Sequence, residues 1–147
     1  MNEASFNHDI GKSLEWSYKI PDDGSSIGIS GKRPFDGFGI VNGKPVYWES
    51  KFLKSVSAFN FDNLKQHQID NLFAIKKLSP DSYCLFIVGV QYNTRETRAY
   101  IFHDIEEIFK RKRDSKSIFA KEFEQLTNYI TRKSGSYDIG GYLNGIL

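Results

Sequence analysis

The sequence predicts an α/β fold in which helices flank a mixed central β-sheet. Three observations carry that expectation. Asn42-Gly43 joins two apolar runs, a helical period runs from Phe61 to Pro80, and "YCLFIVGV" (Tyr83–Val90) is a near-continuous apolar stretch of strand length. The expected order is α-β-β-β-α-β-β-α-α, within one domain spanning residues 1–147.

"ASFNHDIGKSLEWSYKIP" places Phe6, Ile10, Leu14 and Tyr18 four apart, which predicts a first amphipathic helix ending before Pro21. Gly11 weakens it. "SSIGIS" (Ser25–Ser30) reads as a short strand. Phe35–Val41 and Pro45–Lys51 form the arms of a hairpin, since Asn42 and Gly43 both accept the positive φ of a type I′ turn. "FDNLKQHQIDNLFAIKKLSP" spaces Leu64, Ile69, Leu72 and Phe73 for a helix, with Asp62 as cap and Pro80 as stop. Tyr83–Val90 predicts a strand covered on both faces, and "TRAYIFH" (Thr97–His103) its antiparallel neighbour. "DIEEIFKRK" opens acidic behind Asp104 and closes basic, as a helix dipole favours. A last helix is expected around Ser117–Thr131, followed by a loosely held Gly-rich tail at 134–147.

Hydrophobic residues make up 39% of the chain and aromatic residues 15%, which argues for a packed core. Net charge is only +2, so any case for nucleic acid rests on local clusters. Cys84 is the one cysteine, which excludes an internal disulfide and fits a reducing cytosol. It also leaves no zinc-ligand spacing with a histidine. No apolar run approaches the roughly 20 residues of a membrane span, and no signal peptide opens the chain. A soluble, cytoplasmic protein is expected.

The hairpin places chemistry. With a two-residue turn Val41 faces Lys44, so Asp36 faces Glu49. Side chains directly opposite have Cβ atoms roughly 4.5–5.5 Å apart. Period two puts Lys51 beside Glu49 and turns Val46, Trp48 and Ser50 to the other face. Two anions so close need a shared proton or a cation, and a hard divalent ion such as Mg²⁺ meets that need. The plainer alternative is a pair of exposed acids, each beside a surface lysine or arginine. Glu49-Ser50-Lys51 is the only E-x-K in the chain, and it ends a predicted strand beside a matched acid.

An acid on one strand followed by E-x-K on the next resembles the PD-(D/E)xK nuclease superfamily. "FDGFGIVNGKPVYWESK", "SAFNFDNLKQHQIDNL", "YCLFIV" and "YIFHDIEEIFKRKRDSKSI" are more narrowly similar to RecU-type Holliday junction resolvases. The most specific part is "LKQHQID". The resemblance implies a restriction-endonuclease-like core and a homodimeric, Mg²⁺-dependent endodeoxyribonuclease, with Mn²⁺ able to substitute. It would cut branched DNA, as in Holliday junction resolution. Asp36, Glu49 and the Ser50 backbone carbonyl would hold the ion, and Lys51 would orient the attacking water and offset charge on phosphorus. "GKSLEWSYK" resembles the family's first helix, whose glutamate near the metal would here be Glu15. Gln68 and Gln66, with His67 between them, would lie beside the site, or else form the polar face of a half-buried helix.

One departure stands out. The family's stalk, a long insertion between the first strand and the metal-binding one, is replaced here by "SSIGISGKRPFDGF". That keeps two alternatives open: a duplex or flap endonuclease of repair or restriction, and a DNA-binding module without catalysis. Lys32, Arg33 and Lys54 border the expected site as phosphate contacts. Lys110, Arg111, Lys112, Arg113 and Lys116 form a second basic run, which a solvated helix terminus explains equally well.

Overall fold

A computed structural model of the chain describes residues 1–21 and 33–145. The expected strand Ser25–Ser30 and Lys32 lie outside the described residues. At the centre stands the Asn42-Gly43 turn, with φ of 54° and 73°, joining β2 (Gly37–Val41) to β3 (Lys44–Leu53) in the expected register, Val41 against Lys44. β1 (Trp16–Lys19) pairs antiparallel with β2 on the outside. On its other edge β3 runs parallel to β5 (Tyr83–Asn93). A parallel neighbour needs a crossover, and α2 (Gln66–Leu78) supplies it. β6 (Glu96–Phe102) and β8 (Tyr129–Thr131) complete a mixed six-stranded sheet in the order β1-β2-β3-β5-β6-β8. β4 (Ala58–Asn60) and β7 (Ser117–Phe119) form a separate antiparallel pair.

β5 shows why its apolar run has no polar alternation. Leu85 and Ile87 enter a core beneath α1 (Glu3–Lys12) and α5 (Ile139–Gly145), with Phe6, Ile10 and Trp48. Phe86, Val88 and Val90 enter a second core on the opposite face with Ile69 and with Ile108 of α3 (Ile105–Asp114). Asp104 caps α3, as expected, accepting from the Glu106 and Glu107 N–H groups at 3.1 and 3.3 Å.

Four expectations are corrected. α1 stops at Lys12, where the Ser13 hydroxyl donates to the Asp9 carbonyl at 2.6 Å, and Tyr18 belongs to β1. Trp16 and Tyr18 alternate with Ser17 and Lys19, a period-two pattern hidden inside the four-residue stripe. α2 starts at Gln66 rather than behind Asp62, whose N–H is taken by Asn60 Oδ1 at 2.9 Å in a preceding 3₁₀ turn. Residues 117–131 are β7, a 3₁₀ turn, the short helix α4 (Phe123–Leu126) and β8, not one helix. Ile118 and Phe123 are drawn into the second core, and Tyr129 stacks on Tyr100 with centroids 5.3 Å apart. The Gly-rich end is docked rather than loose. Tyr137, Ile139 and Leu143 are buried in the first core, and Asn42 Nδ2 donates to the Gly140 carbonyl at 2.9 Å. Among the described residues no helix is long and apolar enough to cross a membrane.

Candidate active site

β3 outlasts β2, and the site is built on the difference. The β2–β3 ladder ends at Gly37 against Trp48, with one further bond from the Asp36 N–H to the Trp48 carbonyl at 3.0 Å. Beyond it, among the described residues, one edge of β3 has no strand beside it. Asp36 turns its carboxylate onto that edge: Oδ2 accepts from the Ser50 N–H at 2.7 Å and from the Ser50 hydroxyl at 3.0 Å. A strand residue's N–H and C=O point the same way, so the Ser50 carbonyl faces this open edge too, away from β5. Arg33 holds the other Asp36 oxygen at 2.7 Å.

Glu49 and Lys51 alternate to the face beneath α2. Glu49 is 0% exposed, an expensive place for a carboxylate. Its Oε1 accepts from Gln68 Nε2 at 2.8 Å and lies 3.6 Å from Lys51 Nζ. Its Oε2 has no partner among the described residues. Burial, and next the Asp36 charge, push the Glu49 carboxyl well above its ordinary range. Lys51 pulls the other way, and the closeness of the Asp36 carboxyl raises it again. Gln68 cannot turn away, because its Oε1 accepts the Lys65 N–H at 2.9 Å at the start of α2.

The structure therefore brings Asp36, Glu49, Lys51, Gln68 and the Ser50 carbonyl together. Glu15 is elsewhere. Its Oε1 accepts the Asn42 N–H at 2.6 Å, at the turn, the far end of the hairpin from Glu49. The acid that α1 brings to the site is Glu3. It lines a cleft of about 490 Å³ with Asn7, Lys19, Arg33 and Asp36, and a second of about 450 Å³ with Lys51, Lys54 and Lys65. Burial raises its carboxyl first; Lys51 lowers it, Asp36 raises it, and Arg33 and a hydrogen bond from the Phe52 backbone lower it. The signal for Glu3 was in the sequence. Asn2 and Ser5 form a capping box that starts the helix at Glu3, with Ser5 N–H to Asn2 Oδ1 at 2.8 Å.

Gln66 points away from the site and donates to Asp70 at 2.8 Å. His67 Nε2 donates to the Arg33 carbonyl at 3.1 Å, and Asn71 Nδ2 to the Pro34 carbonyl at 3.3 Å, so α2 anchors the loop that delivers Asp36. On α3, Lys112 donates to the Phe61 carbonyl at 3.1 Å, Arg111 pairs with Glu107 at 3.3 Å and Arg113 with Asp114 at 3.6 Å. Lys110 and Lys116 are exposed. Sequence reasoning missed Lys19 and Lys65, since nothing local places a lysine at the mouth of a cleft built from distant segments.

The family model of recombination protein U, RecU, matches residues 28–143. This chain belongs to the RecU family. Membership supports an enzyme of DNA recombination with DNA as its partner. No curated protein matches the chain. The matched span holds Asp36, Glu49, Lys51 and Gln68, while α1 and β1 lie before it.

Proposed function

We propose that this RecU-family protein is a Mg²⁺-dependent endodeoxyribonuclease that hydrolyses phosphodiesters of branched DNA, a four-way junction foremost, as a homodimer. One observation carries the metal dependence. Glu49 is buried beside a second carboxylate, and one of its oxygens is left without a partner. Such a pair needs a proton or a cation, and the donors at hand are all oxygen, which suits a hard ion and not zinc. Among the described residues no group of three or more His, Cys, Asp or Glu side chains is gathered for a metal. Mg²⁺ needs no more, since it takes one or two carboxylates and keeps several waters.

Asp36, Glu49 and the Ser50 carbonyl would hold the ion. Bound there, it supplies a water of lowered pKa and neutralises charge on the phosphoryl oxygens. The chain's own groups do the positioning. Gln68 fixes the Glu49 carboxylate, Ser50 fixes that of Asp36, and Lys51 presents an ammonium beside them that can donate to the attacking water and to the pentacovalent oxygens. Arg33 and Lys19 on one side, with Lys54 and Lys65 on the other, would take flanking phosphates. Symmetric cutting of two strands requires two such sites, hence the dimer.

The test is cleavage of a four-way junction, a matched duplex and a flap, with Mg²⁺, Mn²⁺ or EDTA. Cutting of the junction with either ion and none in EDTA is expected. Metal-independent cutting, or preference for duplex or flap, would overturn the corresponding half of the proposal.

A further inference from the structure

The Asn7 side chain has its orientation dictated by a partner that can only donate. Trp48 Nε1 carries a proton and no lone pair to offer, and it lies 2.7 Å from the Asn7 amide. The atom facing it is therefore the carbonyl oxygen, Oδ1. Trp48 is itself held in place: its ring lies across Gly37, where a Cβ would collide with it. The Ser50 hydroxyl lies 3.2 Å from the same Oδ1 and 3.0 Å from Asp36 Oδ2, so its single proton is shared between Asn7 and Asp36. With Oδ1 turned to Trp48 and Ser50, the amide nitrogen Nδ2 must face the opposite way.

What lies there is the cleft of about 490 Å³ whose walls include Asn7, Lys19, Arg33 and Asp36. Asn7 is 8% exposed, and among the described residues Nδ2 has no hydrogen-bond partner. Those two donors are left to meet an acceptor that enters the cleft. The cleft's two acids, Glu3 and Asp36, are matched by Lys19 and by Arg33, which pairs with Asp36 at 2.7 Å, so a backbone phosphate can enter beside Lys19. A neutral donor in the same cleft as an ammonium suits a phosphate oxygen, and adding no charge beside Asp36 it does not compete for the ion.

We infer that the Asn7 amide donates to a phosphate oxygen of the DNA backbone in this cleft, making Asn7 a substrate-binding residue contributed by α1, outside the span that the family model matches. The inference rests on the nuclease reading above and deepens it.

Equilibrium binding to a four-way junction, with Ca²⁺ in place of Mg²⁺ to keep the DNA intact, tests it. Asn7→Ala should bind about tenfold to a hundredfold more weakly, the worth of a hydrogen bond to a charged group. Asn7→Asp keeps Oδ1 for Trp48 and Ser50 but replaces the donor, so it should still melt cooperatively and bind at least as weakly. A series of junctions with one neutral methylphosphonate each separates contact from fold. At one position the substitution should weaken the wild type by a similar factor and Asn7→Ala no further. Variants that stay folded and bind like the wild type would overturn the inference, as would losses that multiply at every phosphate. A wild type that neither binds nor cuts DNA would instead overturn the nuclease reading, and the inference with it.

Discussion

The two halves of β3 obey different rules. From Lys44 to Trp48 the strand has β2 on one edge and β5 on the other, and its inward side chains, Val46 and Trp48, are core. From Glu49 to Leu53 it keeps β5 but outlasts β2, and the polar groups gather there. An unpaired edge offers N–H and C=O groups that must find partners. Here Asp36 Oδ2 meets the Ser50 N–H. The lesson is that the site is made by where a strand stops. The acids go where the ladder no longer occupies the backbone.

The comparison can be broken from either half. Lys51→Ala, in the open half, should lower cleavage at least a hundredfold to a thousandfold while junction binding and melting temperature stay near wild type. Near-normal rates would remove Lys51 from the chemistry. Trp48→Ala, in the paired half, should cost about 3–5 kcal/mol of stability in a denaturant titration, because it empties the core beneath α1 and strands Asn7. A loss under about 1 kcal/mol would show that this half is not the stabilising one.

Glu49→Gln sharpens the contrast through pH. The folded Glu49 carboxyl sits above its unfolded value of about 4.3, so its stabilising contribution is complete below that value and lost as pH rises through the folded one. Metal-free wild type should therefore lose stability across that window and Glu49→Gln should not, as read by thermal melts. Mg²⁺ should restore the wild type at neutral pH and leave the variant unmoved. Parallel pH profiles would contradict the buried-acid account. The smallest effect belongs to Gln66→Ala. Its bond to Asp70 is an exposed i,i+4 contact, worth about 0.2–0.5 kcal/mol, and cleavage should not change.

The hairpin was legible because its information is local: Asn-Gly sets the turn, the turn sets the register, and the register puts Glu49 near Asp36. Asp36 lies one residue beyond the last rung and reaches across the strand end rather than standing on a face, which counting alone does not show. Glu15 lies at the far end of the hairpin for a different reason. Its likeness to a family helix rests on "GKSLEWSYK", and a four-residue stripe running through Tyr18 looks helical throughout, so the expected helix runs past Lys12, where the structure has β1. Residues 117–131 misled similarly, since short apolar pieces take their form from what they cover.

Asn42 grips Gly140 at one end of a ribbon whose other end carries Glu49, so the last helix serves as a remote fulcrum for the paired acids. Proteolytic clipping ahead of Ile139 would remove two wholly buried side chains, Ile139 and Leu143, and release that grip. Such a nick would disable the protein from its opposite pole while leaving every acid in the chain intact.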